Sequence, residues 1–83
     1  MDIAQETLLI LDEVLSLKGR GLRFNAETPL LGALPELDSM AVVALLTTFE
    51  ERFGIVIHDD EIDAATFATV GTLVAFVRQK LAG

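Results

Sequence analysis

Ser39 is the residue of this 83-residue chain whose position best suits covalent chemistry. It follows Asp38, and aspartate favours the first position of a helix because its carboxylate accepts hydrogen bonds from free amides. Those amides and the helix dipole also favour a phosphate attached nearby. The single histidine, His58, lies 19 residues away and no Gly-x-Ser-x-Gly turn is present, which argues against a catalytic serine. On these grounds alone, a plain capping-region serine is the better interpretation.

Carboxylates form the second group of chemically capable residues, and they concentrate between residues 36 and 63. Only one cation, Arg52, stands among eight of them: Glu36, Asp38, Glu50, Glu51, Asp59, Asp60, Glu61 and Asp63. A calcium loop beginning at Asp59 would need glycine at its sixth position and glutamate at its twelfth, where Ala64 and Val70 stand. The run therefore indicates either a solvated acidic face or a docking site for a basic partner.

The composition excludes several classes of protein. Asp and Glu number 13 against 6 Lys and Arg, a net charge of −7 that repels phosphate backbones, so we expect basic protein partners and no nucleic acid. The absence of cysteine excludes disulfides and thiolate metal sites. Residues 64–77 form the longest uncharged run, which is too short to span a membrane, and the start of the chain lacks the basic region of a signal peptide. We expect a cytoplasmic monomer that is not an enzyme, without a catalytic or metal site.

Hydrophobic periodicity predicts helices, and no strand, around these residues. The predicted helices cover residues 3–17, 38–53, 60–65 and 69–81. A long loop over residues 19–37 is rich in glycine and proline but also in leucine, so we expect it to pack against the helices. The predicted fold class is all-α, with three longer helices, one short helix and a long loop after the first, in a single domain over residues 1–83.

The second predicted helix has more apolar surface than a core needs. One stripe has the spacing of a buried face and contains Val42, Leu45, Leu46, Phe49 and Phe53. Met40 and Val43 lie on other faces, and no charge occurs between Asp38 and Glu50. Two arrangements are open: an exposed apolar strip that binds a partner, or a strip that the long loop covers.

Several motifs in this chain together resemble the acyl carrier protein family. They are Leu37-Asp38-Ser39-Met40, Leu45-Leu46, Phe49-Glu50-Glu51-Arg52-Phe53-Gly54-Ile55 and Phe67-x-Thr69-Val70-x-x-Leu73. The resemblance covers the whole chain and implies a four-helix bundle of acyl-carrier type that performs no chemistry itself. It also implies that a phosphopantetheinyl transferase moves 4′-phosphopantetheine from coenzyme A onto Ser39, beside Asp38, in a reaction that needs magnesium. The thiol of that arm would carry an acyl group as a thioester.

The same resemblance implies roles for other residues. Contacts with the transferase and with acyl ligases, acyltransferases or synthases would come from Glu36, Met40, Val43, Thr47, Glu50 and Glu51. The acyl chain would fold back between the second and third helices, lined by Leu45, Phe49, Ile57 and Ile62.

Two departures from the family pattern bear on the pathway. Ala41 and Ala44 stand where carriers of bacterial fatty acid biosynthesis usually have acidic residues, and Leu37 precedes the Asp-Ser pair. The Leu-Asp-Ser motif is closer to specialised stand-alone carriers of lipid, polyketide or surface-polymer pathways. The alternative is a carrier-like helical interaction module that is never modified and binds a basic partner through the second helix.

Overall fold

Three α-helices form the framework of the protein in a computed structural model, which describes residues 2–83. The helices are α1 (Ile3–Val14), α2 (Ser39–Phe53) and α3 (Val70–Ala82), and α1 packs against both of the others. Short 3-10 helices occupy Arg20–Arg23, Asp59–Glu61 and Ala64–Phe67 in the connections. Within residues 2–83 the only extended pairing is an isolated bridge between Pro29 and Thr69. The all-α bundle predicted from the sequence is confirmed.

The predicted short helix over residues 60–65 is instead two separate 3-10 turns. Ile62 and Asp63 between them have extended backbone conformations, with ψ angles of 133° and −178°. The Asp63 carboxylate accepts a hydrogen bond from the Thr66 amide at 3.1 Å, so it begins a new turn and does not continue the first. Local capping by Asp63 therefore interrupts the single short helix that the sequence predicts here.

The first helix ends at Val14, three residues before the predicted end. Asp12 Oδ1 accepts hydrogen bonds from the amides of Gly19 and Gly21, at 2.8 and 3.0 Å, and folds the following chain back onto the helix. Ser16 and Lys18 consequently have positive φ angles of 54° and 55°. A residue that bonds seven and nine positions ahead leaves no periodic signal in a sequence.

The long loop pairs with the start of α3, which is how it packs against the bundle. The amides of Leu30 and Gly71 donate to the carbonyls of Ala68 and Ala26 at 3.0 and 2.9 Å. A Cβ added at Gly71 would lie 3.0 Å from the Ala26 carbonyl oxygen, which is tighter than an ordinary contact, so a larger residue here would require the loop to shift.

The hydrophobic core draws on all three helices and on the loop. Its buried members are Ile10, Leu11, Leu15, Leu17, Leu30, Leu37, Leu45, Phe49, Phe53, Phe67, Val70, Leu73, Val74 and Val77. Leu81, near the end of α3, is exposed, unlike the buried residues that the same helix contributes to the core. The core holds α2 by one stripe and leaves its opposite side to solvent.

Candidate functional site

Asp38 fixes the start of α2 and thereby the position of Ser39. Its backbone is extended (φ −114°), and its Oδ1 accepts a hydrogen bond from the Ala41 amide at 2.9 Å. The Asp38 carbonyl oxygen accepts from the Val42 amide, also at 2.9 Å, which closes the first helical turn. Ser39 is the first helical residue and is exposed, so its hydroxyl is accessible to a partner.

One side of α2 carries exposed apolar residues that begin at Ser39. Met40 is 80% exposed and Val43 is 64% exposed, so the long loop does not cover them. With Ser39 and Ala44 they line a shallow cavity of about 410 Å³. Thr47 continues the same side one turn further and is also exposed. We call Met40, Val43, Ala44 and Thr47 the apolar face of α2.

The opposite side of α2 is anchored in the core. Leu45 and Phe49 are fully buried, and the rings of Phe49 and Phe53 lie 6.1 Å apart between centroids. Ile57 and Ile62 are half-buried and pack against the same core. The four residues predicted to line an acyl pocket therefore belong to one apolar cluster, and none of them lines the cavity of about 600 Å³ between α1, the loop and α3.

Two of the carboxylates predicted to contact partners hold the protein's own loops. Glu36 Oε2 pairs with Arg20 at 2.5 Å, and this hydrogen bond from the guanidinium lowers the pKa of the Glu36 carboxyl. Its other oxygen, Oε1, is shielded from solvent and has no hydrogen-bond partner within residues 2–83. Glu50 Oε2 accepts from the Ile57 amide at 2.9 Å, across the turn that follows α2. Neither contact could be predicted from the sequence, because the partners lie 16 and 7 residues apart and not at the three- or four-residue spacing of neighbours on a helix.

Glu51 differs from these two carboxylates, since it is exposed at the far end of the apolar face. Its neighbour Arg52 pairs with Glu13 of α1 at 2.7 Å. Glu51 is thus the charged residue of α2 that remains free for a partner in the described part of the chain.

The 3-10 turn after α2 is tied to α3 by an ion pair. Lys80 Nζ lies 2.6 Å from Glu61 Oε2, and the His58 amide donates to Glu61 Oε1 at 2.9 Å. The lysine hydrogen bond, followed by the backbone one, lowers the pKa of the Glu61 carboxyl. Across residues 2–83, no group of three or more histidine, aspartate or glutamate side chains is placed to hold a metal ion.

The described chain is thus a small bundle of helices with an exposed serine at the start of its second α-helix. The family model for the phosphopantetheine attachment site matches residues 9–77. The solution structure of a holo acyl carrier protein from Nitrosomonas europaea is similar over 100% of both chains, with 46% sequence identity and a TM-score of 0.91. The chain belongs to the acyl carrier protein family.

Membership defines what the chain does in general terms. It is a carrier and not an enzyme, its cofactor is a covalently attached 4′-phosphopantetheine, and it interacts with phosphopantetheinyl transferase and acyl-handling enzymes. The start of α2 fits such a group, because an accessible hydroxyl stands beside an apolar cavity at a helix N-terminus. None of the helices over residues 2–83 is long and apolar enough to cross a membrane.

Proposed function

We propose that Ser39 is the residue to which 4′-phosphopantetheine is attached. The observation that carries this proposal is the exposed position of Ser39 as the first residue of α2, directly after the Asp38 cap. The chain has one other serine, Ser16, which lies in a left-handed turn after α1 and not at a helix start. Ser39 is therefore the serine whose surroundings suit a phosphodiester.

The residues around Ser39 hold and present the attachment point. Asp38 caps the helix and keeps the serine hydroxyl at the end of a rigid element, and the first-turn amides favour the negative charge of a nearby phosphate. When bound, the cofactor supplies a thiol that carries an acyl group as a thioester. The chain contains no cysteine, so it contributes no thiol of its own.

Partner enzymes would contact α2 beside the attachment point. We assign this contact to Met40, Val43, Thr47 and Glu51, which are all exposed. Glu36 and Glu50 would affect partner binding indirectly, because their carboxylates bond to the loops before and after α2 and so hold those loops in place. The Lys80–Glu61 pair similarly holds the turn that carries Ile57 and Ile62 near the core.

An acyl chain would enter the protein by parting an existing apolar cluster. Leu45 and Phe49 already fill the core, and half-buried Ile57 and Ile62 lie at its edge. Insertion would therefore displace the turn that Glu50 and Glu61 restrain. We propose these four residues as the lining of the acyl site in the loaded carrier.

The absence of acidic residues from the first turns of α2 supports a specialised pathway. Ala41 and Ala44 occupy positions near Ser39 where a carrier of general fatty acid biosynthesis would present charge. We propose a cytoplasmic, monomeric carrier in a specialised lipid, polyketide or surface-polymer pathway, served by its own acyl ligase or acyltransferase.

The absence of cysteine allows a direct test of the proposal. Incubation with coenzyme A, magnesium and a broad-specificity phosphopantetheinyl transferase should raise the thiol content of the purified protein from zero to one per chain. Ser16→Ala should behave like the wild type and Ser39→Ala should gain no thiol. A thiol on Ser39→Ala would contradict the assignment.

The exposed apolar face is also compatible with a second candidate function, that of an interaction module that is never modified. Such a module would bind its partner equally well with Ser39→Ala as with the wild type. A carrier would lose all acyl delivery with that substitution. Comparing partner binding with acyl transfer for the same variant separates the two functions.

A further inference from the structure

We infer that the enzymes acting on Ser39 dock on the apolar face of α2 chiefly through an apolar surface of their own, and not through a basic groove. This inference rests on the proposed function, in which Ser39 receives the cofactor. It adds the kind of surface that the partner must present.

Ser39 is itself one wall of the cavity at the start of the apolar face. The other walls are Met40, Val43 and Ala44, and they add almost no polar surface. An enzyme that reaches the Ser39 hydroxyl must therefore cover this cavity and remove its apolar walls from water. Burial of apolar area stabilises such a complex without requiring any charge.

The charges of α2 do not offer a basic groove a continuous target. No ionisable residue occurs between Ser39 and Phe49, and at the end of the helix Glu50 and Arg52 are engaged within the molecule. Glu51, the exposed carboxylate, lies 12 residues beyond Ser39, about 18 Å along the helix axis. Before the helix, Glu36 is paired with Arg20. Within residues 36–53, Asp38 is then the carboxylate adjacent to the serine, and it caps the helix.

The exposure of the face is high for apolar side chains. Met40 is the most exposed of the large hydrophobic residues in residues 2–83, and Val43 shares its cavity. Scattered single hydrophobic residues are ordinary on protein surfaces, but contiguous ones beside a functional group mark a docking site. Here the contiguous patch and the modifiable serine coincide.

Val43 and Val56 provide a matched pair of variants for the test. Both valines are 64% exposed, and glutamate at either position changes the net charge from −7 to −8. Val56 lies beyond the end of α2, outside the apolar face. We expect Val43→Glu to lower kcat/KM for phosphopantetheine transfer about tenfold or more, and Val56→Glu to change it less than about twofold.

A basic docking groove predicts the opposite sign. In that case Val43→Glu would be modified as fast as the wild type or faster, and that result would overturn the inference. The salt dependence of transfer is a second test. We expect kcat/KM of the wild type to fall less than about threefold between about 50 and about 500 mM NaCl. A fall of about tenfold would indicate docking by charge and would overturn the inference.

Two controls separate this inference from the proposed function and from misfolding. Wild-type protein that gains no phosphopantetheine at all would count against the proposed function. The rates of the variants are compared with that of the wild type once the wild type has been shown to be modified. Circular dichroism and thermal unfolding check that each variant is folded. Val43→Gln removes apolar surface without adding charge, and it should also slow transfer if the apolar contact is what matters; wild-type rates for this variant would overturn the inference.

Discussion

Asp38 and Ser39 are adjacent, but their side chains have different surroundings in the structure. The Asp38 carboxylate accepts a hydrogen bond from the Ala41 amide and so determines where the helix begins. The Ser39 side chain is left exposed on the first turn. Removal of the Asp38 side chain would lower the stability of α2, whereas removal of the Ser39 hydroxyl would remove the proposed attachment point.

Substitution of Asp38 tests its role as a cap. Asp38→Ala should lower the free energy of unfolding by about 1 kcal/mol, because the Ala41 amide loses its partner. Asp38→Asn should retain most of this stability, since an asparagine oxygen can accept the same bond. Urea unfolding of both variants beside the wild type measures the difference. Equal stability of Asp38→Ala and Asp38→Asn would contradict a capping role.

Glu50 and Glu51 are neighbours with different surroundings, and they form another matched pair. Glu50→Ala removes the acceptor of the Ile57 amide and should lower the free energy of unfolding by about 1 kcal/mol. Glu51→Ala should leave it within about 0.5 kcal/mol of the wild type, because Glu51 is exposed. Chemical denaturation measures both values. If Glu51→Ala is the more destabilised variant, the role assigned to the Glu50 bond is wrong.

The three α-helices differ in how well their ends could be predicted from the sequence. Both ends of α2 and the start of α3 were predicted because their signals are local: Asp38 before the helix, Gly54 after it, and Thr69 before α3. The end of α1 depends on Asp12 bonding to Gly19 and Gly21, which no local pattern reveals.

The short helix predicted over residues 60–65 is likewise replaced because of contacts that no local pattern reveals. Acidic residues favour a helix start, and Asp59, Asp60 and Glu61 supply three in a row. The structure uses Asp63 to begin a second turn and Glu61 to bond to Lys80 of α3. The Asp63 cap and the Glu61–Lys80 contact therefore replace the predicted helix with two turns. Glu61 and Lys80 are 19 residues apart, so only folding brings them together.

The Lys80–Glu61 pair predicts how acid affects the turn between α2 and α3. The folded protein lowers the pKa of Glu61, chiefly through the Lys80 hydrogen bond, so the unfolded chain binds this proton more readily. The stabilisation is therefore present above the unfolded pKa and is lost as pH falls through the lower, folded pKa. We expect the Tm of the wild type to fall by more between about pH 7 and about pH 3.5 than the Tm of Lys80→Met falls over the same range. Thermal unfolding of both proteins at the two pH values measures this difference.

The control for this experiment is Arg78, another cation of α3. It has no ion pair among the described residues, so Arg78→Met removes the same charge from the helix and leaves Glu61 paired with Lys80. Arg78→Met should keep the acid sensitivity of the wild type. Equal pH dependence of Tm in Lys80→Met and the wild type would contradict the assigned role of the pair.

At the scale of the whole molecule, the core and the candidate site occupy opposite sides of α2. Leu45 and Phe49 anchor the helix while Met40 and Val43 face solvent, so partner contacts need not disturb the fold. The sequence predicted the buried stripe but left two arrangements open for the other side. Which one holds depends on the path of the long loop, and that loop pairs with the start of α3 through Leu30 and Gly71.

Intact mass measurement, with localisation of the modified peptide, tests the central claim most directly. Wild type, Ser16→Ala and Ser39→Ala are each incubated with coenzyme A, magnesium and phosphopantetheinyl transferase. Attachment at Ser39 predicts a gain of one phosphopantetheine on the wild type and on Ser16→Ala, located on the peptide that contains Asp38 and Ser39, and no gain on Ser39→Ala. Modification of Ser39→Ala, or an unmodified wild type that is folded, would contradict this account.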